Sequence, residues 1–283
     1  MSDIVEYWDV QWIDGAWYNL HAYAYHVESI YGARTNVPAL RGSNVAVYGK
    51  PGQLHQPKIA DQRTVTLQGW VSDRDPDDVP YTDDCNSLQG VNRNWRMIRR
   101  LLWRENGAQF SLRRRWWDED GNLVMATAQA EYAGGLDLSE HVIEAGAWTC
   151  DLNLADPYFY GDPETVVLVK DTPQVLTNLG DVPASHIVIV FEDQLQNPVI
   201  TNSTPNPDVW VQMGSAIAAA DSITLDVDAF TAVRSSDGAN MIGGVTRSGA
   251  RPWMVLSPGT NTVVLTATSG TGTAEFTWQP AYL

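Results

Sequence analysis

Cysteine is nearly absent from this chain. Cys85 and Cys150 are the only two, one ahead of a helical pattern and the other ending a strand pattern. Two such residues make no disulfide framework, and buried free thiols are expected. Lys and Arg are scarce as well: 18 basic residues stand against 34 acidic ones, a net charge of −16. Up to Thr165 there are 14 basic and 24 acidic residues, a net of −10, and the remainder carries 4 against 10, or −6. Both parts are acidic, which disfavours binding to a phosphate backbone through the whole surface. No apolar run approaches the ~20 residues of a membrane span. Met1-Ser2-Asp3 leads straight into a Trp/Tyr strand pattern without a leader signature, which predicts a cytoplasm-like compartment.

The motifs of chemistry are missing too. There is no nucleophile elbow, no paired-histidine zinc helix, no phosphate-binding glycine loop and no Cys-x-x-Cys. Histidines 21, 26, 55, 141 and 186 give no metal-ligand spacing, and His21 and His26 fall on opposite faces of an extended strand. Asp73–Asp78 lacks the ordered spacing and terminal Glu of a calcium loop and carries Pro76 inside it; it reads as a solvated acidic loop. No catalytic residue, cofactor or metal is assigned.

What the chain has is aromatic and β-forming. Twelve Trp and eleven Tyr suit sheets and interfaces, where a large ring with a polar tip packs half-buried. Val5–Ile13 and Trp17–Ile30 flank Asp14-Gly15, a hairpin signal. Tyr31–Asp61 is rich in Gly, Pro and Asn, too long for a plain connection, and predicts an arm that projects or pairs elsewhere. Arg63–Val71 alternates as a central strand.

Asp84–Asn106 is the best-specified element. Leu88, Val91, Trp95, Ile98 and Leu102 lay one apolar stripe along a helix, with Arg93, Arg96, Arg100 and Arg104 opposite. Asp83 or Asp84 is the expected cap, and Asn106-Gly107 the expected stop. Ala108–Trp117 and Leu123–Tyr132 flank an acidic turn at Asp118–Asn122 as a second hairpin. Arg113, Arg114 and Arg115 alternate across its first strand and form no single patch. A break at Gly134-Gly135 precedes closing strands at His141–Glu144 and Trp148–Ala155.

Composition changes at Asp151–Gly161, where a strand ends on Asp156-Pro157 and the aromatic run Tyr158, Phe159, Tyr160 follows. The expected boundary lies here, dividing 1–161 from 162–283, with those three aromatics as an inter-domain hinge. Beyond it, short strand patterns recur at Glu164–Lys170, Ser185–Phe191, Pro198–Asn202, Asp208–Gln212, Ser222–Val227, Thr231–Arg234, Trp253–Leu256, Thr262–Thr268 and Ala274–Trp278. Turn signals separate them, and no helix intervenes, which argues for an antiparallel sandwich. Ala216–Ala220 has slight helical propensity but is too short to stand alone. Trp210, Trp253 and Trp278 are candidates for a carbohydrate- or partner-binding platform. On a sandwich, such residues are more often core or interface.

With the two parts laid out, the chain resembles the distal tail protein (Dit) family of long, non-contractile-tailed phages, especially minor tail proteins of actinobacterial phages. Leu154–Gly161 is similar to the family's exit into an aromatic DPYFYG-like stretch. Asn178–Pro183, the Ile187–Phe191 strand and Asn197–Asn202 look like the start of its second domain. Leu256–Asn261 before Val263–Thr266 and the terminal Thr277–Tyr282 look like its last strands. The resemblance implies a mainly β protein: an N-terminal tail-tube-like β domain with one α-helix, then a C-terminal galectin-like antiparallel β-sandwich. It further implies a homo-hexameric ring in the virion that joins the tail tube protein to the tail-tip hub. Tape measure protein and genomic DNA would pass through its acidic lumen without specific binding. The family is structural and lends no catalytic residue and no cofactor. A carbohydrate-binding tail adhesin acting through the sandwich, and the tail tube protein itself, are the alternative readings. An enzyme comes last.

Overall fold

A computed structural model describes residues 6–21, 25–31, 38–41, 45–46, 53–54, 59–74, 87–104, 107–142, 145–248 and 254–283. It divides into two compact units, Met1–Phe159 with Leu283, and Tyr160–Tyr282. The protein is mainly β, with one α-helix among the described residues.

The first unit is built on one antiparallel sheet. Its strands are β1 (Tyr7–Gln11), β2 (Trp17–Asn19), β3 (Tyr25–Tyr31), β4 (Arg63–Ser72), β5 (Phe110–Trp117), β6 (Leu123–Val142) and β7 (Ala145–Leu154). They lie in the order β2-β1-β5-β6-β7-β4-β3. The expected first hairpin closes over Asp14-Gly15, with Gly15 at φ 87°. Its second arm is shorter than the pattern predicted, however. Trp17–Ile30 splits into β2 and β3, and β3 crosses to the far edge beside β4. Strand β4 is central as expected, paired on both sides, with Val65 and Leu67 fully buried.

Gly134-Gly135 is no break. Both glycines take positive φ, and β6 bulges there while remaining paired with β7. Glycine supplies the left-handed backbone that a bulge requires, so a two-glycine signal marked a kink inside a 20-residue strand. Within the long Tyr31–Asp61 segment, Leu40–Arg41 pairs with Ile59–Ala60 and Val45–Ala46 with Gln53–Leu54. These two described pairings are nested, the second inside the first. The expected helix caps, Cys85, residues 75–78 and Asn106 lie outside the described residues.

Helix α1 spans Ser87–Leu102 and packs chiefly on β4. Its buried stripe is Val91, Asn94, Ile98, Leu101 and Leu102, with Trp95 half-buried. Leu88, expected in that stripe, is 40% exposed. The register is shifted because Asn94 turns inward: its Nδ2 donates to Ser72 O at 2.8 Å and Arg74 O at 2.6 Å. Gly90 permits this approach, since a Cβ there would meet Asp73 O at 2.6 Å. Below the helix the sheet contributes Trp8, Val10, Leu112, Trp148, Cys150 and Leu152 to the core.

The second unit holds two five-stranded antiparallel sheets. Its main strands are β8 (Glu164–Val169), β9 (Gln174–Asn178), β10 (Ile187–Glu192), β11 (Val199–Asn202), β12 (Val209–Met213), β13 (Ser222–Asp226), β14 (Thr231–Arg234), β15 (Val245–Arg247), β16 (Gly259–Thr266) and β17 (Thr273–Trp278). One sheet runs β8-β17-β10-β13-β14 and the other β9-β16-β11-β12-β15. A single apolar core, including Ile189, Phe191, Val211, Met213, Leu265 and Phe276, is drawn from both. Strands β9 and β15 lie outside the expected strand patterns. Ala216-Ile217 forms a short strand rather than a helical turn, since two residues paired to Leu195 and Gln196 satisfy their backbone better than an isolated turn.

Three buried asparagines pin the loops of this core. Asn178 Nδ2 donates to Val182 O and Leu256 O at 3.1 and 3.0 Å. Asn202 Nδ2 donates to Asn261 Oδ1 at 3.0 Å and to Val255 O at 2.8 Å. Asn261 Nδ2 reaches Ser257 O at 2.7 Å and Gly259 O at 2.9 Å. Each side-chain amide thereby ties backbone or amide oxygens of neighbouring loops to a buried anchor. Asn261→Ala is expected to destabilise the second unit by about 3 kcal/mol, read by urea denaturation; a loss under half that size would show that the loop holds itself. Cys150 is a free buried thiol whose pKa burial, aided by Asp151, pushes up to about 12. Its thiolate fraction at pH 8 is about one in ten thousand. In a Cys85→Ser variant, thiol reagents are therefore expected to label the protein only after unfolding, and rapid native labelling would contradict this burial.

Candidate functional site

Among the described residues no group of three His, Cys, Asp or Glu is placed to hold a metal ion. The polar features that stand out lie on β5 and at its two ends. Arg113 and Arg115 share one face with Asp9, which is 2% exposed. Arg113 Nε donates to Asp9 Oδ2 at 2.9 Å and Arg115 Nη2 to Asp9 Oδ1 at 2.7 Å. Their guanidinium groups also cover aromatic rings, Arg113 over Trp17 at 4.2 Å and Arg115 over Tyr7 at 5.4 Å. Arg114 takes the other face, pairing with Glu6 and donating Nη1 to Leu283 O at 2.7 Å. The three arginines are split between faces, as the alternation predicts.

At the Phe110 end of β5 lies a cleft of about 540 Å³, lined chiefly by Trp12, Ile13, Arg100, Trp103, Arg104 and Phe110. Ile13 is 79% and Trp103 50% exposed at its lips. Arg104 does not stand on the solvated face of α1 as expected. It turns into the cleft, with Cζ 4.7 Å from the Trp12 ring centre and 5.7 Å from that of Phe110. Its Nη2 donates to Gln11 O at 2.9 Å, while its Nε is buried with no hydrogen-bond partner among the described residues. Burial lowers the Arg104 pKa from its ordinary value. A guanidinium stacked between rings is weakly hydrated and directional, suited to a carboxylate approaching from outside. Arg96, Arg99 and Arg100 remain exposed on the helix.

At the Trp117 end, the turn of the β5–β6 hairpin presents Asp118, Glu119 and Asp120. Asp118 Oδ1 accepts from Asn122 N at 2.7 Å and Asp120 N at 3.0 Å. Those bonds, Asn122 foremost, lower the Asp118 pKa. Glu119 and Asp120 point outward, flanked by exposed Trp117, Leu123 and Met125. Neither the cleft nor the apolar flanks of this turn emerged from sequence. The available signal was large apolar residues abutting turn residues: Trp12-Ile13 before Asp14-Gly15, and Trp117 and Leu123 around the acidic turn.

Of the two described platform candidates, only Trp210 reaches the surface. Trp278 is 4% exposed and belongs to the core beside Phe276. It alternates in phase with Ala274 and Phe276, so its ring offers no face to a sugar. Trp210 is half-buried on the outward side of β12, opposite in phase to buried Val211 and Met213. Its backbone N–H donates to Ser248 Oγ at 2.8 Å. Trp253 lies outside the described residues. Of the hinge aromatics, Phe159 is a core residue of the first unit, edge-on to Trp8 at 5.6 Å. Tyr160 stacks on His186 of the second unit at 4.1 Å. Tyr158 is half-buried, and burial together with Asp156 raises its phenol pKa.

No protein-family model matches this chain, and no curated protein matches it. Solved structures do. The crystal structure of SPP1 Dit (gp 19.1), described as a paradigm of the hub adsorption apparatus in phages infecting Gram-positive bacteria, matches with a TM-score of 0.61 at 15% identity. That match covers 99% of this chain and 100% of the other. Chains of the phage p2 baseplate in its activated conformation, with strontium or calcium, match with TM-scores of 0.39 and 0.38 at 8% identity, covering 97% of this chain and 98% of theirs. From end to end, the chain has the fold of a phage distal tail (Dit) protein.

Proposed function

We propose that this chain is a structural virion protein of the distal tail type, a ring at the phage tail tip that joins the tail tube to the tail-tip hub. The observation that carries the reading is the full-length match to a distal tail protein, in which both compact units find a counterpart. The chemistry of the chain supports it. The polar groups of β5 are engaged in holding strands together. A net charge of −16 suits a passage through which a polyanion must slide without sticking. On this reading the first unit forms a homo-hexamer. Tape measure protein and DNA pass through its lumen, and Tyr158–Tyr160 is the join between ring and sandwich.

The adhesin reading retains only Trp210 of its described residues, since Trp278 is buried. The tail tube reading gives the second unit no task. Purified protein is expected to form six-fold rings in negative-stain images, and antibody labelling of virions to mark one end of the tail. A stable monomer that joins neither a tube nor a hub partner, or label spread along the whole tube, would overturn the proposal.

A further inference from the structure

We infer that the cleft at one end of β5 receives the acidic turn at the other end of the same hairpin, from a second copy of this chain. The inference rests on the ring reading above and specifies its contact.

The two surfaces are complementary in both charge and apolarity. The cleft offers exposed Trp103 and Ile13 with two guanidinium groups, those of Arg100 and Arg104. Arg100 has no ion-pair partner among the described residues, and Arg104 donates to Gln11 O with no carboxylate beside it among them. The turn offers exposed Trp117 and Leu123 with the carboxylates of Glu119 and Asp120. These carboxylates also lack partners among the described residues. In a chain of net charge −16, a basic patch of this kind is the exception. Its complement is abundant on the same molecule.

One copy cannot satisfy itself. Phe110 lines the cleft and Trp117 leads into the turn, so the two sites stand about 24 Å apart along a strand rising about 3.4 Å per residue. Strand β5 is paired along its whole length with β6 and from Leu112 to Arg115 with β1, and a strand held in this way does not fold back. The match is therefore made between copies, donor turn to acceptor cleft, a heterologous contact that forms a ring where the rotation closes. Trp and Arg at the centre of such a contact supply the desolvated anchors. The Glu119 and Asp120 carboxylates against Arg100 and Arg104 fix its register.

The test is sedimentation velocity of the full-length chain over a concentration series. The samples are wild type, Arg100→Glu, the pair Glu119→Arg with Asp120→Arg, and the triple variant carrying all three reversals. Arg100, Glu119 and Asp120 are exposed, and far-UV circular dichroism of each variant should match wild type. Either reversal alone is expected to weaken self-association by about tenfold or more, and the triple variant to regain most of that loss. Higher salt should weaken the wild type. Single reversals that assemble like wild type, or a triple variant weaker than both, overturn the contact. Six-fold rings persisting in every variant would do so while leaving the ring reading intact, and a wild type that stays monomeric overturns both.

Discussion

Three arginines in a row on one strand are a constraint before they are a feature. Side chains of Arg113 and Arg115 emerge on the same face about 7 Å apart, and two unpaired guanidinium groups there would repel. Asp9 sits against both and is nearly inaccessible. That one carboxylate sets the register of β1 against β5, because a slip by one residue would turn it to the opposite face. The β1–β2 hairpin follows from this register, and with it the position of Trp12 and Ile13 at the lip of the cleft. The opposite face is fixed the same way by Glu6 and Arg114. Local charge pairing thus decides where an apolar surface opens.

Much of the architecture was legible because it is local. Helix α1, the hairpin over Asp118–Asn122, the central position of β4 and most strands of the second unit follow from periodicity and turn chemistry. What escaped depends on contacts distant in sequence. Leu88 fits the apolar stripe, yet Asn94 wins the inward position by meeting carbonyl groups of Ser72 and Arg74, which no helical wheel contains. Arg104 has the period of a solvated residue but is captured by Trp12, which lies far from it in sequence. Trp278 reads as a platform candidate, with core the commoner fate, until β17 is set into its sheet. Gly134-Gly135 reads as a stop because period-2 alternation lapses there, whereas the strand absorbs the irregularity as bulges.

The two units solve the problem of a β protein differently. The first is one broad sheet with a helix laid on it and polar pairs on both faces of β5. The second encloses a core between two smaller sheets and uses buried asparagines to shape its loops. A charge-rich first unit and a charge-poor second one suit different tasks: adjustable, salt-sensitive contact in one, and a fixed shape in the other.

The order of the strands also sets a timetable for synthesis. Asp9 meets Arg113 across 104 residues and Thr66 meets Asp151 across 85. At ~5–20 residues per second on the ribosome, β1 waits about 5–20 s for β5 to be made. During that interval its companion is β2, and a two-stranded hairpin is marginal in water. Trp8 and Val10, destined for the core, are exposed meanwhile. The nascent chain is thus at its stickiest before the first sheet closes, and crowding of many copies at this stage favours aggregation over assembly.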